Sequence, residues 1–443
     1  MDSYITDSAN SATALYTGHK STVNALGVYA DSSKDPADDP KIETIAEIFY
    51  RLYKGGVGIV STAFIADATP AALTAHTRNR GRYGEVVDAY LNGITNYTWT
   101  KWDGPDVLFG GGAEQFYPGK TSFQGQDYYK KFASKGYNVV TNGSALEATS
   151  NSTKTLGIFT VGNMAKWLDR EVYTDNLVVP KTSPDGSNAS AVDQPGLKEM
   201  TLKALEILHT RHPSDGFFLM SEAASIDKQM HVLDYDRALG ELLELDDTIK
   251  ATFEYLESIG ELNNTQVIVT ADHGHGFDVM GSVDTHYLNA QTTDREKRGA
   301  IGTYQNSGLS QYTVPVGHGN GSSLTYTEGT HFPANWDPRY TLFQGLRASP
   351  DTRENFQVHK NGPRVPAINI TGFSSEDFFV NYMDAVTGFL VNGTLPVSAD
   401  QGVHSLTDVP VFAQGPCQDM FGGVYGNIDI FFGMAECLGL SRP

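Results

Sequence analysis

GFFLMSEAASIDKQMH, residues 216–231, passes from an unbroken apolar run straight into a cluster of charged and polar side chains. Its first half has the length and composition of a buried strand, and its second half holds groups that bind ligands. Upstream, QPGLKEMTLKALEILHTRHP (194–213) repeats Leu197, Met200, Ala204, Leu205 and Leu208 at the helical period, and Pro213 stops it. Downstream, YDRALGELLELDDTIKATFEYLESIG (235–260) predicts a second helix with Leu239, Leu242, Ile249, Phe253 and Leu256 on its buried face and Gly260 as its stop. TQVIVTADHGH (265–275) then repeats the opening pattern, an apolar strand ending in polar residues. The order helix, strand, helix, strand reads as a βαβ unit.

Working outward, GVGIVSTA (56–63), DVLFGGG (106–112) and LGIFTV (156–161) are further apolar runs set between helical patterns. This alternation predicts an α/β fold, a mostly parallel sheet with helices on both faces. Residues 279–403 are richer in Gly, Asn, Thr, Tyr and Pro, with weak periodicity and one expected helix near 374–391. Apolar patterning returns in TDVPVFAQGP (407–416) and NIDIFFGMAECLGL (427–440). The expected organisation is therefore a core of 1–278 and 404–443, with 279–403 as a loop-rich insertion. No internal repeat, heptad run or long charge block interrupts it.

The 443 residues carry 32 basic and 52 acidic side chains, a net charge of −20. Such a chain repels phosphate backbones, which argues against a nucleic-acid partner, and suits a protein that binds cations. No apolar run approaches the ~20 residues of a membrane span. Cys417 and Cys437 are the only cysteines; they form one disulfide in an oxidising compartment or remain two buried thiols. Asn-x-Ser/Thr sequons at Asn96, Asn142, Asn151, Asn188, Asn263, Asn320, Asn369 and Asn392 are the pattern of a secretory-pathway glycoprotein, or simply of Asn-rich loops. Residues 1–20 contain no basic start followed by an apolar run, so they do not form a signal peptide.

Polar residues at the C-terminal ends of α/β strands are where ligands bind. Glu222 closes the apolar run, and Asp227 and His231 follow four residues apart, a spacing that lets one helical turn aim both at a cation. The same spacing also describes a surface pair. Asp272, His273 and His275 stand after VIVT, a carboxylate and imidazole set that suits zinc, or an ordinary polar turn. In DATPAALTAHTRNR (67–80), Asp67 and Thr69 precede an expected helix and Arg80 follows; helix capping accounts for part of that pattern. His404 in QGVHSLTDVPVF reads alone as a loop residue. In DSANSAT (7–13), Ser8 sits after Asp7 at the head of a small-residue stretch, as a nucleophile at a helix start does. Together these residues are what two-metal phosphoryl transfer requires: a hydroxyl nucleophile, two His/carboxylate clusters and an arginine.

The segments TDSANSATALYTG, DATPAALTAH followed by Arg80, EAASIDKQMH, VTADHGHGF and GVHSLTDVPVFAQGP occur in the order found in the alkaline phosphatase family, which the chain resembles from residue 3 to about 440. The resemblance implies a three-layer α/β sandwich, homodimeric, with two zinc ions and one magnesium in each site. It casts Ser8 as the residue that takes the phosphoryl group, Arg80 as the residue that grips it and Asp7 as the residue that orients Arg80. Asp227, His231 and His404 match the ligands of one zinc, Asp272 and His273 those of the other, and Thr69 and Glu222 those of magnesium. Asp67 and Lys228 resemble the bacterial branch, where these positions reach phosphate and magnesium through water. His275 is expected just behind the ligands, and 279–403 could form a crown-like cap.

The activity implied is hydrolysis of phosphate monoesters through a phosphoserine on Ser8, in a secreted or vacuolar-lumen enzyme. The family also carries, upstream of the serine, an Asp-Gly-Met-Gly type motif whose aspartate bridges the serine-side zinc and the magnesium. No such motif precedes Ser8 here, so the expectation is a chain that starts at an internal methionine, beyond any signal peptide, with a serine-side site one carboxylate short. Two rivals remain at this level. A sulfatase needs a modifiable Cys or Ser followed by a Pro and Arg pattern, which DSANSAT lacks. A glycoprotein that binds metal and phosphate without turnover is the other.

Overall fold

The strand Gly56–Phe64 (β1) is buried everywhere except at its last residue, and the rest of the sheet is built around it. The computed structural model describes residues 5–31, 33–93, 103–231, 235–275 and 404–440, with isolated short pieces between 278 and 379. Strands Val107–Gly111 (β2), Asn138–Val140 (β3), Thr155–Ile158 (β4) and Phe217–Glu222 (β5) join β1 in the order β3-β4-β2-β1-β5. Every pairing in this sheet is parallel. Four of the five strands coincide with the apolar runs of the sequence. β3 escapes that reading because it has only three residues between Gly136 and Asn142.

Alternate residues of the strands feed two separate cores, as the two-residue period of a strand requires. Val57, Ile59, Leu108, Leu156 and Ile158 face one layer, where the helices Ser8–Thr17 (α1), Ile45–Tyr53 (α2), Ala68–Ala71 (α3), Tyr83–Asn92 (α4) and Tyr128–Ser134 (α5) contribute Ala9, Ala12, Ile45, Phe49, Ala71, Val86, Tyr90 and Phe132. Val60, Val107 and Phe109 face the other, against Leu197, Met200, Ala204, Ile207 and Leu208. The result is the three-layer α/β/α arrangement. On this second face packing is close at Gly58, where a Cβ would lie 2.8 Å from the Cδ1 methyls of both Leu208 and Leu219, which would have to shift.

The short helices Gly143–Glu147 (α6) and Trp167–Glu171 (α7) precede Leu197–Arg211 (α8), Ser225–His231 (α9) and Tyr235–Ser258 (α10). The α8 and α10 helices fall where the sequence places them, but the buried face of α10 differs from the expected one. Leu242 is 49% exposed, while Glu241 and Glu244 are buried. The glutamates turn inward because they hold other elements: Glu241 accepts from the Trp167 N–H at 2.6 Å, and Glu244 accepts from the Leu197 N–H at 3.1 Å and pairs with Arg170 at 2.5 Å.

The expected βαβ unit is also corrected. Val267–Thr270 (β6) does not join β5; among the described residues it pairs antiparallel with Val411–Gln414. His404–Ser405 likewise pairs antiparallel with Gly274–His275, which carries the C-terminal part of the chain back to the core, as its apolar patterning predicts. Cys417 and Cys437 are joined as a disulfide, and the helix Ile428–Cys437 that ends at this bond buries Ile430 and Phe431 in the same core as Ala9 and Ala12 of α1. Gly18 ends α1 at φ 70°, with the Phe431 ring where a Cβ would be. Inside 279–403 the described pieces are short antiparallel pairings, such as Tyr312–Thr313 with Thr325–Tyr326. Of the helix expected near 374–391, Phe378–Phe379 instead pairs as strand with Ile368–Asn369; the remainder lies outside the described residues, as does any crown-like cap.

Candidate active site

Ser8 is the first residue of α1, and Asp7 is its N-cap. The Asp7 carboxylate accepts from the backbone N–H of Ala9, Asn10 and Asn24, each at 3.2 Å. This cap fixes the turn that projects Ser8, whose Oγ lies 3.0 Å from His273 Nε2. His273 Nδ1 is 3.2 Å from the Gly274 carbonyl. The ring is thus held between the Ser8 hydroxyl and the Gly274 carbonyl.

Asp7 has a second task. Arg80 Nη1 donates to it at 3.3 Å, and Arg80 Nη2 donates to Asp67 at 2.6 Å. The other Asp67 oxygen accepts from Lys228 Nζ at 2.5 Å. Asp67 caps α3 through the Ala68 N–H at 2.8 Å, so two helix caps locate one arginine. Burial alone would raise Asp67, but Lys228 and Arg80 outweigh it and hold the carboxyl well below its usual range. Lys228 is raised in turn, the charge of Asp67 overcoming its burial.

On the other side of Ser8, Asp227, His231, His275 and His404 each present a ligand atom within 4.8 Å of the others. His231 Nε2 and His404 Nε2 are 3.1 Å apart, and each lies close to an Asp227 oxygen, at 3.3 and 3.2 Å. His404 Nδ1 is tied to the Thr6 carbonyl at 2.7 Å, which turns its Nε2 into the cluster. His275, expected just behind the ligands, offers a nitrogen within this group. Both His275 ring nitrogens are buried without a hydrogen-bond partner among the described residues, and Asp227 Oδ1 faces three imidazole nitrogens, at 3.2, 3.3 and 3.7 Å. Burial pushes His275 down to about 3, and His404 is raised because the neighbouring Asp227 outweighs its burial. A carboxylate with facing imidazole nitrogens is a donor set suited to zinc. A bound cation would satisfy the atoms left unpartnered.

The His273 ring stacks on that of His404, centroids 3.5 Å apart, so the two His/carboxylate groups adjoin. Asp272 approaches His273 Nε2 at 3.3 Å. Glu222, at the end of β5, accepts from Ser61 Oγ at 2.6 Å. It is pushed up to about 7, first by burial, with Asp272 and Asp67 adding to the rise. Crowded, buried carboxylates of this kind hold a proton unless a hard cation replaces it. Thr69 is buried in α3, two residues beyond Asp67, and makes no hydrogen bond to the other site residues among the described ones. Every candidate residue thus lies on the described part of the chain, and all but Thr69 are joined by contact or by charge.

A profile of the family described as "Alkaline phosphatase" matches residues 1–440. The chain belongs to the alkaline phosphatase family. Alkaline phosphatase H of Pseudomonas aeruginosa (strain UCBPP-PA14) is 35% identical over 63% of this chain and 60% of its own length. Alkaline phosphatase of Escherichia coli (strain K12) is 34% identical over 67% of this chain and 64% of its own length. The matches thus span a little under two thirds of these relatives. The crystal structure of Thermus thermophilus alkaline phosphatase superposes with a TM-score of 0.61 at 20% identity, over 100% of this chain and 81% of that one, a likeness of fold.

Several residues that hold this site together escaped the sequence reading. Ser61 anchors Glu222, Ser11 Oγ donates to the Asp272 carbonyl at 2.5 Å, and Asn427 donates to Ser11 Oγ at 3.3 Å. Ser11 stands one helical turn after Ser8, a spacing that could have drawn attention to it. The Thr6 carbonyl leaves no signal in sequence, since any residue type supplies one.

Proposed function

We propose that this chain hydrolyses phosphate monoesters to an alcohol and inorganic phosphate through a phosphoserine on Ser8. The observation that carries the reading is that Asp7, the residue before Ser8, holds Arg80 together with Asp67, while Ser8 Oγ itself lies 3.0 Å from His273 Nε2. Ser8 Oγ attacks phosphorus as the bond to the leaving alcohol breaks. Arg80 offers a planar fork to two non-bridging oxygens, a geometry lysine does not reproduce. Lys228 adds a second positive charge held by the same Asp67. Water then attacks the phosphoserine from the vacated side, the Oγ–P bond breaks and phosphate leaves.

The unpartnered His275 nitrogens beside the Asp227 carboxylate and the raised Glu222 fit a site made for cations. We assign Asp227, His231 and His404 to one zinc, Asp272 and His273 to a second, and Thr69 and Glu222 to magnesium. When bound, these ions supply the Lewis acidity that lowers the serine hydroxyl pKa and stabilises the leaving oxygen. The disulfide and the exposed sequons at Asn188 and Asn263 support a secretory-pathway location, and the family supports a homodimer acting on small phosphomonoesters.

The test is release of p-nitrophenol from p-nitrophenyl phosphate by the chain with added zinc and magnesium, beside Ser8→Ala. Turnover abolished by the substitution is expected. A folded, metal-loaded wild-type chain without turnover, or a Ser8→Ala variant that keeps it, refutes the proposal.

A further inference from the structure

A cleft of about 290 Å³ is lined by Lys166, Gln229, Asn163, Asp169, Arg237 and neighbouring residues. Its floor is stitched to the end of β1: the Met164 N–H donates to the Thr62 carbonyl at 2.9 Å, and the Phe64 N–H donates to Asn163 Oδ1 at 3.0 Å. Gln229 belongs to α9, directly after Lys228, whose ammonium stands 5.8 Å over the Phe64 ring. The cleft therefore adjoins the Lys228 side of the proposed phosphate site.

Two polar groups in it have unused capacity. Lys166 Nζ donates to the Met164 carbonyl at 3.1 Å and has no carboxylate within ion-pair distance among the described residues. Gln229 is only 9% exposed, lines the cleft, and its side chain makes no hydrogen bond among the described residues. Arg237 is already matched by Asp169, at 2.8 and 3.0 Å. Glu241 and Asp169 stand near enough to act on the Lys166 charge, but neither reaches ion-pair distance, so Lys166 is the cleft's one cation without a direct carboxylate partner among the described residues. A volume near 300 Å³ is that of a small-ligand pocket. An anionic group would meet both a counter-charge and a carboxamide donor there, and a neutral one would leave Lys166 unmatched.

We propose that this cleft is a subsite for a second anionic group of the substrate, a carboxylate or phosphate on the leaving alcohol, bound by Lys166 and Gln229. The inference rests on the phosphomonoesterase reading above, so its test is a binding experiment that needs no turnover. The metal-loaded full chain is titrated calorimetrically with ω-carboxyalkylphosphonates of one to four methylenes, beside the isosteric ω-carbamoyl compounds and plain alkylphosphonates. The wild-type chain should bind one carboxylate length ~10-fold or more tighter than its carboxamide isostere, the size expected of a charge-assisted hydrogen bond. Lys166→Met should erase that advantage while leaving alkylphosphonate affinity within about twofold, and Lys166→Arg should keep most of it. Equal affinity for carboxylate and carboxamide at every length overturns the proposal without any variant. An advantage that survives Lys166→Met overturns it too. Absence of p-nitrophenol release alongside a Lys166-dependent advantage would sink the phosphatase reading and leave the anion subsite standing.

Discussion

Asp67 bridges two cations, and replacing it with asparagine has two calculable effects of opposite sign. One oxygen accepts from Arg80 at 2.6 Å and the other from Lys228 at 2.5 Å. Removing one partner of a buried ion pair costs about 3–5 kcal/mol. The cations here are 24% and 21% exposed, Arg80 keeps Asp7 at 3.3 Å, and asparagine retains one acceptor. The low end applies, and Asp67→Asn should lose ~3 kcal/mol of unfolding free energy in urea at neutral pH. The substitution also removes one negative charge beside the phosphate site. A unit charge ~5 Å away in a medium of effective dielectric ~20 is worth ~3 kcal/mol before screening, so inorganic phosphate should bind at least ~10-fold tighter by calorimetry. Asp67 is held below its usual range, so its stabilisation is present above about pH 4 and lost as pH falls. Asp67→Asn should accordingly flatten the acid limb of the stability curve. A variant as stable as wild type that binds phosphate no tighter would refute the bridging role.

Asp227→Ala should cut zinc affinity by more than ~100-fold, since even outer partners of ligands are worth 10–100-fold; elemental analysis after dialysis reads it, and unchanged zinc content would contradict the assignment. Cys417 and Cys437 close a loop of sequence separation 20, for which chain entropy gives about 3 kcal/mol; the double serine variant should lose that in denaturant titration under non-reducing conditions, and equal stability would mean the bond constrains little. Burial pushes Glu241 up to about 7, with Glu244 adding to the rise, against ~4.3 unfolded. The folded state therefore holds its proton more readily, and stability falls as pH rises through this window. Glu241→Gln keeps an acceptor for the Trp167 N–H and should remove that slope in a pH series of urea midpoints; a slope identical to wild type would locate it elsewhere.

What could be read in the sequence follows from what periodicity encodes. β1, β2 and β4 are buried on both faces and the half-buried β5 is six residues long, so all four leave continuous apolar runs; β3 is a half-buried strand of three residues. α8 was legible because its buried residues are apolar. The inner face of α10 was not, because Glu241 and Glu244 spend their carboxylates on the N–H groups of Trp167 and Leu197, contacts 74 and 47 residues away. β6 reads as a strand but carries no mark of its partner, so Val411–Gln414 could not be inferred. The site fared better because its members sit in short motifs at strand ends and helix starts. A single residue brought in from afar, such as His404, reads alone as a loop residue; the resemblance gave it a role, and only the fold shows its tie to the Thr6 carbonyl.

The electrostatics of the site also explain how an acidic chain can present cations to a phosphate. Neither Arg80 nor Lys228 stands free: each is fastened by a carboxylate whose own position is fixed by helix geometry. Asp7 is the decisive joint, because one carboxylate caps α1, sets the turn that aims Ser8, and holds Arg80. Any displacement of the α1 N-terminus therefore carries Ser8 and Arg80, the proposed nucleophile and clamp, together, and their relative position changes less than either position alone. Such coupling matters because in-line displacement tolerates little misplacement between the attacking oxygen and the groups that hold the phosphoryl oxygens. The acidic residues around the cations are thus part of what keeps the attack geometry fixed, and the negative net charge of the chain is compatible with anion chemistry because its local arrangement, rather than its sum, faces the substrate.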